Sequence, residues 1–189
     1  VTGKIHGFDL ASPFDLSNIT YSNNVTGDLG DDPSFSFSND GKKLFYLEGK
    51  KESQKILEYS LSTAYDLTDI TLVNTLTLTT TANVSTANDY GRAVEFSHDG
   101  MTMFVLINDR TNNNNTSLDS VFQFSLTTAF STSTATSVGS LTIPEELSLR
   151  TWGMALSPTG NKLYLASLVG STDTSRYVGS GSVDVVTQI

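Results

Sequence analysis

The residues of this 189-residue chain whose types and spacing bear on chemistry are two histidines, a loop of carboxylates and two Arg-bearing tetrapeptides. His6 lies between Ile5 and Gly7, at the place that Leu57 and Phe122 hold in similar segments, so a packed strand position is expected. His98 stands where Asn39 and Pro158 stand in two other segments, so an exposed turn is expected. No Ser sits in a nucleophile-elbow context, and a Ser-His-Asp triad has no support. Asp28, Asp31 and Asp32, with Asn24, offer oxygen ligands of the kind a hard cation such as Ca²⁺ takes. Their spacing makes no EF-hand loop, and Asp is also common ahead of a strand. Glu145-Glu146 has no partner carboxylate for acid/base work. Asp89-Tyr90-Gly91-Arg92 and Arg150-Thr151-Trp152-Gly153 precede two apolar segments at comparable places. Arg92 and Trp152 are therefore candidates for one shared position. Trp152 with Arg150 also suits a sugar-binding surface, against the plainer reading of Trp152 as a packing residue. No catalytic constellation and no cofactor motif emerges, so the chain is read as not an enzyme.

Composition narrows the field. Net charge is −9, with only 11 Lys and Arg. Nucleic-acid binding needs clustered cations to displace counterions, and the one cluster, Lys42-Lys43 and Lys50-Lys51, is diluted by Glu48 and Glu52. No apolar run has the length of a membrane-spanning helix. With no cysteine there are no disulfides, thiolate metal sites or Cys nucleophile. The 25 Ser and 26 Thr favour strands and polar turns. Asn-X-Ser/Thr sequons at Asn18, Asn24, Asn83, Asn114 and Asn115 permit glycosylation, but thirteen Asn among so many hydroxyls give nearly that number by chance. The chain opens on Val1 without a leader and is read as processed or cut from something longer.

The elements that must position these residues come from an internal repeat. Phe35-Ser36-Phe37-Ser38-Asn39-Asp40-Gly41 and the apolar Leu44-Phe45-Tyr46-Leu47 are echoed by Val94 to Leu106 and again by Met154 to Ala166. The turn residues Gly41, Gly100 and Gly160 are 59 and 60 residues apart. Each copy reads as a hairpin with Gly at a positive-φ turn position. The alternation predicts buried side chains at Phe35, Phe37, Val94, Phe96, Met154 and Leu156. A second motif interleaves: Ile56 to Leu67 resembles Val121 to Thr132, and an earlier copy spans Ile5 to Leu16. A weak fourth begins at Val183. In each clear copy a strand ends at Leu, a Ser/Thr-rich or Ser-Pro turn carries an aromatic residue, and a further strand follows. One unit is thus four strands in roughly 60 residues, and such sheets must stack face to face. The divisions are a partial unit 1–30, units 31–90 and 91–150, and a partial unit 151–189.

These motifs resemble β-propeller blades of the YVTN and lactonase-like group, with "LSPDG..LYVA" opening a blade and "V.VYDL" following. Leu156-Ser157-Pro158-Thr159-Gly160-Asn161-Lys162-Leu163-Tyr164-Leu165-Ala166 matches best, with Thr159 for the usual Asp. The first two units are similar to a variant seen in surface and particle proteins of marine microbes and their viruses. The resemblance implies an all-β propeller of four-stranded blades, about three of them present. Closed propellers usually hold four to eight blades. The chain is then a segment of a longer propeller, one of several copies that complete a ring or filament, or a short ring closed by its own ends. The first two are preferred.

The function expected on these grounds is a non-catalytic extracellular, cell-surface or virus-particle module for structure or adhesion. Its expected partners are other copies, other parts of the same polypeptide, or glycans. The alternative is a lactonase-like hydrolase with its site in the central channel, built from residues such as Arg92 and Trp152.

Overall fold

The computed structural model describes residues 3–29, 34–49, 54–81, 89–108, 119–144 and 150–168. Its strands are β1 (Gly3–Leu10), β2 (Ile19–Leu29), β3 (Ser34–Phe37), β4 (Lys43–Glu48), β5 (Lys55–Leu61), β6 (Ile70–Thr77), β7 (Tyr90–Phe96), β8 (Thr102–Asn108), β9 (Ser120–Leu126), β10 (Ala135–Thr142), β11 (Arg150–Leu156) and β12 (Leu163–Leu168). A single helical turn covers Leu78–Thr81, and a 3-10 turn covers Thr132–Thr134. The chain is all-β and its sheets are the blades of a partial β-propeller. β3 to β6 form one antiparallel four-stranded sheet in sequence order, and β7 to β10 a second. β1–β2 and β11–β12 are two-stranded. The neighbours β3, β7 and β11 are the inner strands, one per blade.

Apolar side chains fill the spaces between blades, because a lone sheet cannot bury both faces. Phe45, Leu47 and Ile56 of the first full blade pack against Val94, Met103, Val105 and Phe124 of the second. Met154 and Leu165 close on Ala93, Leu106 and Val121. Ile5 of β1 packs on Leu44, Tyr46, Leu61 and Leu67. The six alternating residues all fall on inner strands. Val94 and Met154 are buried, and Phe37, Phe96 and Leu156 are half-buried. Phe35 departs from the expectation and is 47% exposed. Among the described residues the sheet ahead of it, β1–β2, has no inner hairpin to cover it. His6 departs for the same reason: it is exposed rather than packed, with the Tyr21 ring 5.9 Å away.

The three hairpins share one hydrogen-bonded turn. Ser38 Oγ donates to Asp40 Oδ1 at 2.6 Å and accepts from Lys43 N at 2.9 Å, while Lys42 N donates to Asp40 Oδ1 at 3.0 Å. Ser97, Asp99, Met101 and Thr102 repeat this arrangement. In the third hairpin Thr159 replaces the Asp and donates instead to Asn161 Oδ1 at 2.7 Å. Gly41, Gly100 and Gly160 have φ of 67°, 70° and 71°. The Ser97 hydroxyl, then the Met101 amide, hold the Asp99 carboxyl below its ordinary range, and Ser38 and Lys42 do the same for Asp40. A carboxyl depressed in the folded state adds stability above its unfolded pKa and loses it as pH falls through the folded value. Asp40→Asn/Asp99→Asn keeps an acceptor oxygen in each turn. The melting temperature of that variant is therefore expected to fall less steeply than that of the native chain below about pH 4. Parallel melting curves from pH 2 to pH 6 check it.

Candidate functional site

Buried polar groups gather at the end of the blades where the inner strands begin. Arg92 on β7 is 8% exposed, and its guanidinium carbon lies 4.5 Å from the Trp152 ring centroid and 5.4 Å from that of Tyr90. A guanidinium stacked on indole is attracted by the ring quadrupole, more strongly when water is excluded. Arg92 Nε donates to Asn108 Oδ1 at 2.6 Å, at the end of β8. Asn108 Nδ2 donates to the Thr151 carbonyl at 2.9 Å. The Thr151 amide donates to the Asp119 carboxylate, and the Asp119 carbonyl accepts from Ile143 N at 2.8 Å. Gln54, which holds the place of Asp119 in the preceding blade, donates from Nε2 to the Asp89 carbonyl at 2.5 Å. The bonds of Asn108 and Asp119 to Thr151, and of Gln54 to Asp89, tie one blade to the next, and the bond from Asn108 orients the Arg92 guanidinium. Trp152 is held by Arg92 yet 45% exposed, so part of its ring stays open to a ligand.

The expected juxtaposition of Arg92 and Trp152 is present. Trp152 serves neither as a wholly buried packing residue nor as a free surface ring, since it does part of both. Asp89 is buried beside this group, and Arg150 contributes backbone to β11. Asn108, Asp119 and Gln54 were not signalled as site residues. The clue was their position, at the ends of strands next to polar loops, and single-sequence motifs do not mark it. His98 is exposed in the hairpin turn at the other end of β7, about six strand residues and roughly 20 Å from Arg92. It lines a polar hollow of ≈ 190 Å³ with Asn39, Glu95, Ser157 and Pro158. Asn39 Nδ2 donates there to the His98 carbonyl, and burial pushes the Glu95 carboxyl up. The hollow joins three hairpin turns and is remote from the Arg92 group.

Asp31, Asp32, Asn83, Asn114, Asn115 and Glu145-Glu146 lie outside the described residues. Asp28 and Asn24 lie on β2, and Asn18 is exposed in the turn before it. Among the described residues no group of three or more His, Asp or Glu stands close enough to hold a metal ion. No described helix is long and apolar enough to cross a membrane.

No protein-family model matches the chain, and no curated protein matches its sequence. Solved structures do. A protein from Lactobacillus plantarum superposes with a TM-score of 0.57 at 19% identity, covering 87% of this chain and 42% of that one. A Bacteroides fragilis protein assigned as a 6-phosphogluconolactonase gives 0.53 at 16% identity, over 87% of this chain and 41% of that one. The periplasmic gluconolactonase of Pseudomonas aeruginosa gives 0.50 at 16% identity, over 70% and 31%. The chain thus spans well under half of each. The fold is the one these proteins share. The likeness supports the lactonase-like part of the motif resemblance and carries no sign of the marine-microbe and virus variant. It also corrects the expectation that the chain is not an enzyme. Two of these three structures are named as lactonases, so a missing local motif does not exclude catalysis on this fold. The physical reason is that a site on this fold can draw single residues from several blades and then leaves no contiguous signature in the sequence.

Proposed function

We propose that this chain is part of a lactonase-like propeller that opens sugar lactones at the end where its inner strands begin. The observation that carries the reading is the Arg92 guanidinium, oriented by Asn108 and stacked on a half-open Trp152. In lactone opening, the oxygen of water adds to the ring carbonyl carbon and the carbonyl oxygen gains negative charge. The ring C–O bond then breaks, its oxygen takes a proton, and a hydroxy acid leaves. A desolvated, fixed guanidinium suits the oxyanion. The open part of the indole suits the apolar face of a sugar ring. The structures named as gluconolactonase and 6-phosphogluconolactonase give the substrate class to try first.

The test is hydrolysis of glucono-δ-lactone and 6-phosphogluconolactone by the 189-residue chain, followed as acid release above the spontaneous rate. Arg92→Lys keeps the charge and loses the stacked fork, and is expected to lower kcat on the order of 100-fold. Trp152→Ala is expected to raise KM with less effect on kcat. Thermal unfolding of each variant separates loss of chemistry from loss of fold. Native protein with no rate above background overturns the reading, as does an Arg92→Lys variant of undiminished activity.

A further inference from the structure

The polar hollow at the tips of the inner hairpins holds a carboxylate that the repeat does not require. Glu95 stands where the other two copies have Ser36 and Ala155. It is the next-to-last residue of β7, and its direct partner across the hairpin is Phe104. Val94 and Phe96, on either side of it in the sequence, pack between the two full blades. Alternation therefore turns Glu95 the other way, toward the β11–β12 hairpin. Phe104, on that same face, packs with Ala93, Met154 and Leu165. A carboxylate half-buried beside an aromatic ring is partly stripped of water, and this burial pushes its pKa up. Such a group is costly unless a donor or a cation faces it. Among the described residues none does: Glu95 makes no ion pair and no hydrogen bond there. Lys43 of the first hairpin is held by Glu58, and Lys42 by the Ser62 carbonyl.

The other polar groups around the hollow show what would suit it. The hydroxyls of Ser97 and Ser157 are engaged within their own turns. Each accepts from the backbone amide five residues on, and each donates to a side chain of its turn. Asn39 Nδ2 reaches across from the first hairpin and donates to the His98 carbonyl, which leaves its Oδ1 to accept. The exposed His98 ring borders the hollow, with Nδ1 3.4 Å from Asn39 Nδ2. What remains is a set of acceptors, the two Glu95 oxygens and Asn39 Oδ1, beside the apolar flanks of Phe96, Leu156 and Pro158. Such a set suits a cation that donates several hydrogen bonds and carries a short apolar stem. An ammonium head rotates to meet acceptors drawn from two hairpins, whereas a guanidinium presents a rigid planar fork.

We propose that the hollow between the β3–β4, β7–β8 and β11–β12 hairpins binds a primary ammonium group on a short alkyl chain, with Glu95 as its counter-ion and Asn39 as a second acceptor. The ammonium is that of a free amine or of a lysine side chain reaching in from a partner, and the chemistry is the same for both. The inference is independent of the lactonase reading, because neither Arg92 nor Trp152 lines the hollow.

The chain has two histidines, which permits a direct test. His98 borders the hollow, and His6 lies on β1 beside Tyr21. The ring signals of both are followed by NMR while n-butylammonium chloride is added to the 189-residue chain at fixed pH and ionic strength. The His98 signals are expected to move and saturate with a Kd of about 1–10 mM, while the His6 signals stay in place. Glu95→Gln keeps the shape and removes the charge, and is expected to weaken binding roughly tenfold or more. Its melting temperature should not fall, since the substitution removes a partly desolvated carboxylate. Tetramethylammonium, which has the charge and no N–H, is expected to give no saturable shift. Tighter binding of n-butylammonium than of N-acetyl-lysine amide supports a free amine, and the reverse order supports a lysine side chain. No saturable His98 shift up to about 100 mM overturns the inference. So does equal affinity in Glu95→Gln, or an equal response to tetramethylammonium or calcium chloride.

Discussion

Gly100→Ala is expected to lower the stability of the chain by about 3–4 kcal/mol, and Gly160→Ala by only about 1 kcal/mol, although both glycines have the same left-handed backbone. The backbone part is common to both: φ is 70° at one and 71° at the other, and an L-residue there costs roughly 1–2 kcal/mol. Space makes the difference. A Cβ on Gly100 would lie 2.3 Å from a Phe130 ring carbon, whereas one on Gly160 meets nothing within 4 Å. Phe130 cannot give way cheaply. Its ring packs 5.5 Å from Phe96 and 6.4 Å from Phe45, across the space between the two full blades. Moving it opens that aromatic group, a loss of the kind seen when a core aromatic is removed. At about 2–4 °C per kcal/mol for a chain of this size, Gly100→Ala should melt roughly 10 °C below the native protein. Equal losses at the two glycines would show that backbone strain alone is at work.

The repeat made the blades legible. A hairpin glycine every 59 or 60 residues and the alternating apolar strands foretold four-stranded sheets, inner strands and turns. Alternation reports which side of a strand is apolar, but not whether a neighbouring sheet covers it. That is why Phe35 and His6 carry the pattern of packed residues and still face water. The site was legible only as two tetrapeptides at matching places. Arg92 and Trp152 could be paired because the repeat aligns them. Asn108, which orients Arg92, sits at the end of a different strand and has no motif. The bonds between blades were invisible for a related reason. Glu58 corresponds to Gln123 and Gly7 in the other copies, and Lys43 to Thr102 and Lys162. A repeat averages such positions into generic polar ones, and the chain uses the departures from it to distinguish one blade interface from another.

The largest such departure gives the second expected result: Lys43→Met will cost about 2–3 kcal/mol, more than Glu58→Gln. Glu58 is 3% exposed and its carboxylate holds three bonds. Lys43 Nζ donates to Oε1 at 2.7 Å, and Thr132 donates to Oε2 from its amide at 2.8 Å and from its hydroxyl at 2.7 Å. Lys43 also donates to the Phe130 carbonyl at 2.6 Å, so both charges reach from the first full blade to the second. Asn74 Nδ2 donates to the Thr132 hydroxyl at 2.8 Å and completes the group. Removing Lys43 leaves a buried carboxylate without its cation, the costly way to break such a pair. Removing the charge of Glu58 is milder. Lys43 is 31% exposed and can turn to solvent, and the amide oxygen of Gln still accepts from Thr132. That variant should lose about 1 kcal/mol. In Lys43→Met/Glu58→Gln no buried charge is stranded, so the double variant should be more stable than Lys43→Met alone, with a coupling of about 1–2 kcal/mol. Urea unfolding of the four proteins gives the cycle. If Lys43→Met falls within 0.5 kcal/mol of the native chain, or Glu58→Gln proves the worse of the two, the pair does not join the blades as described.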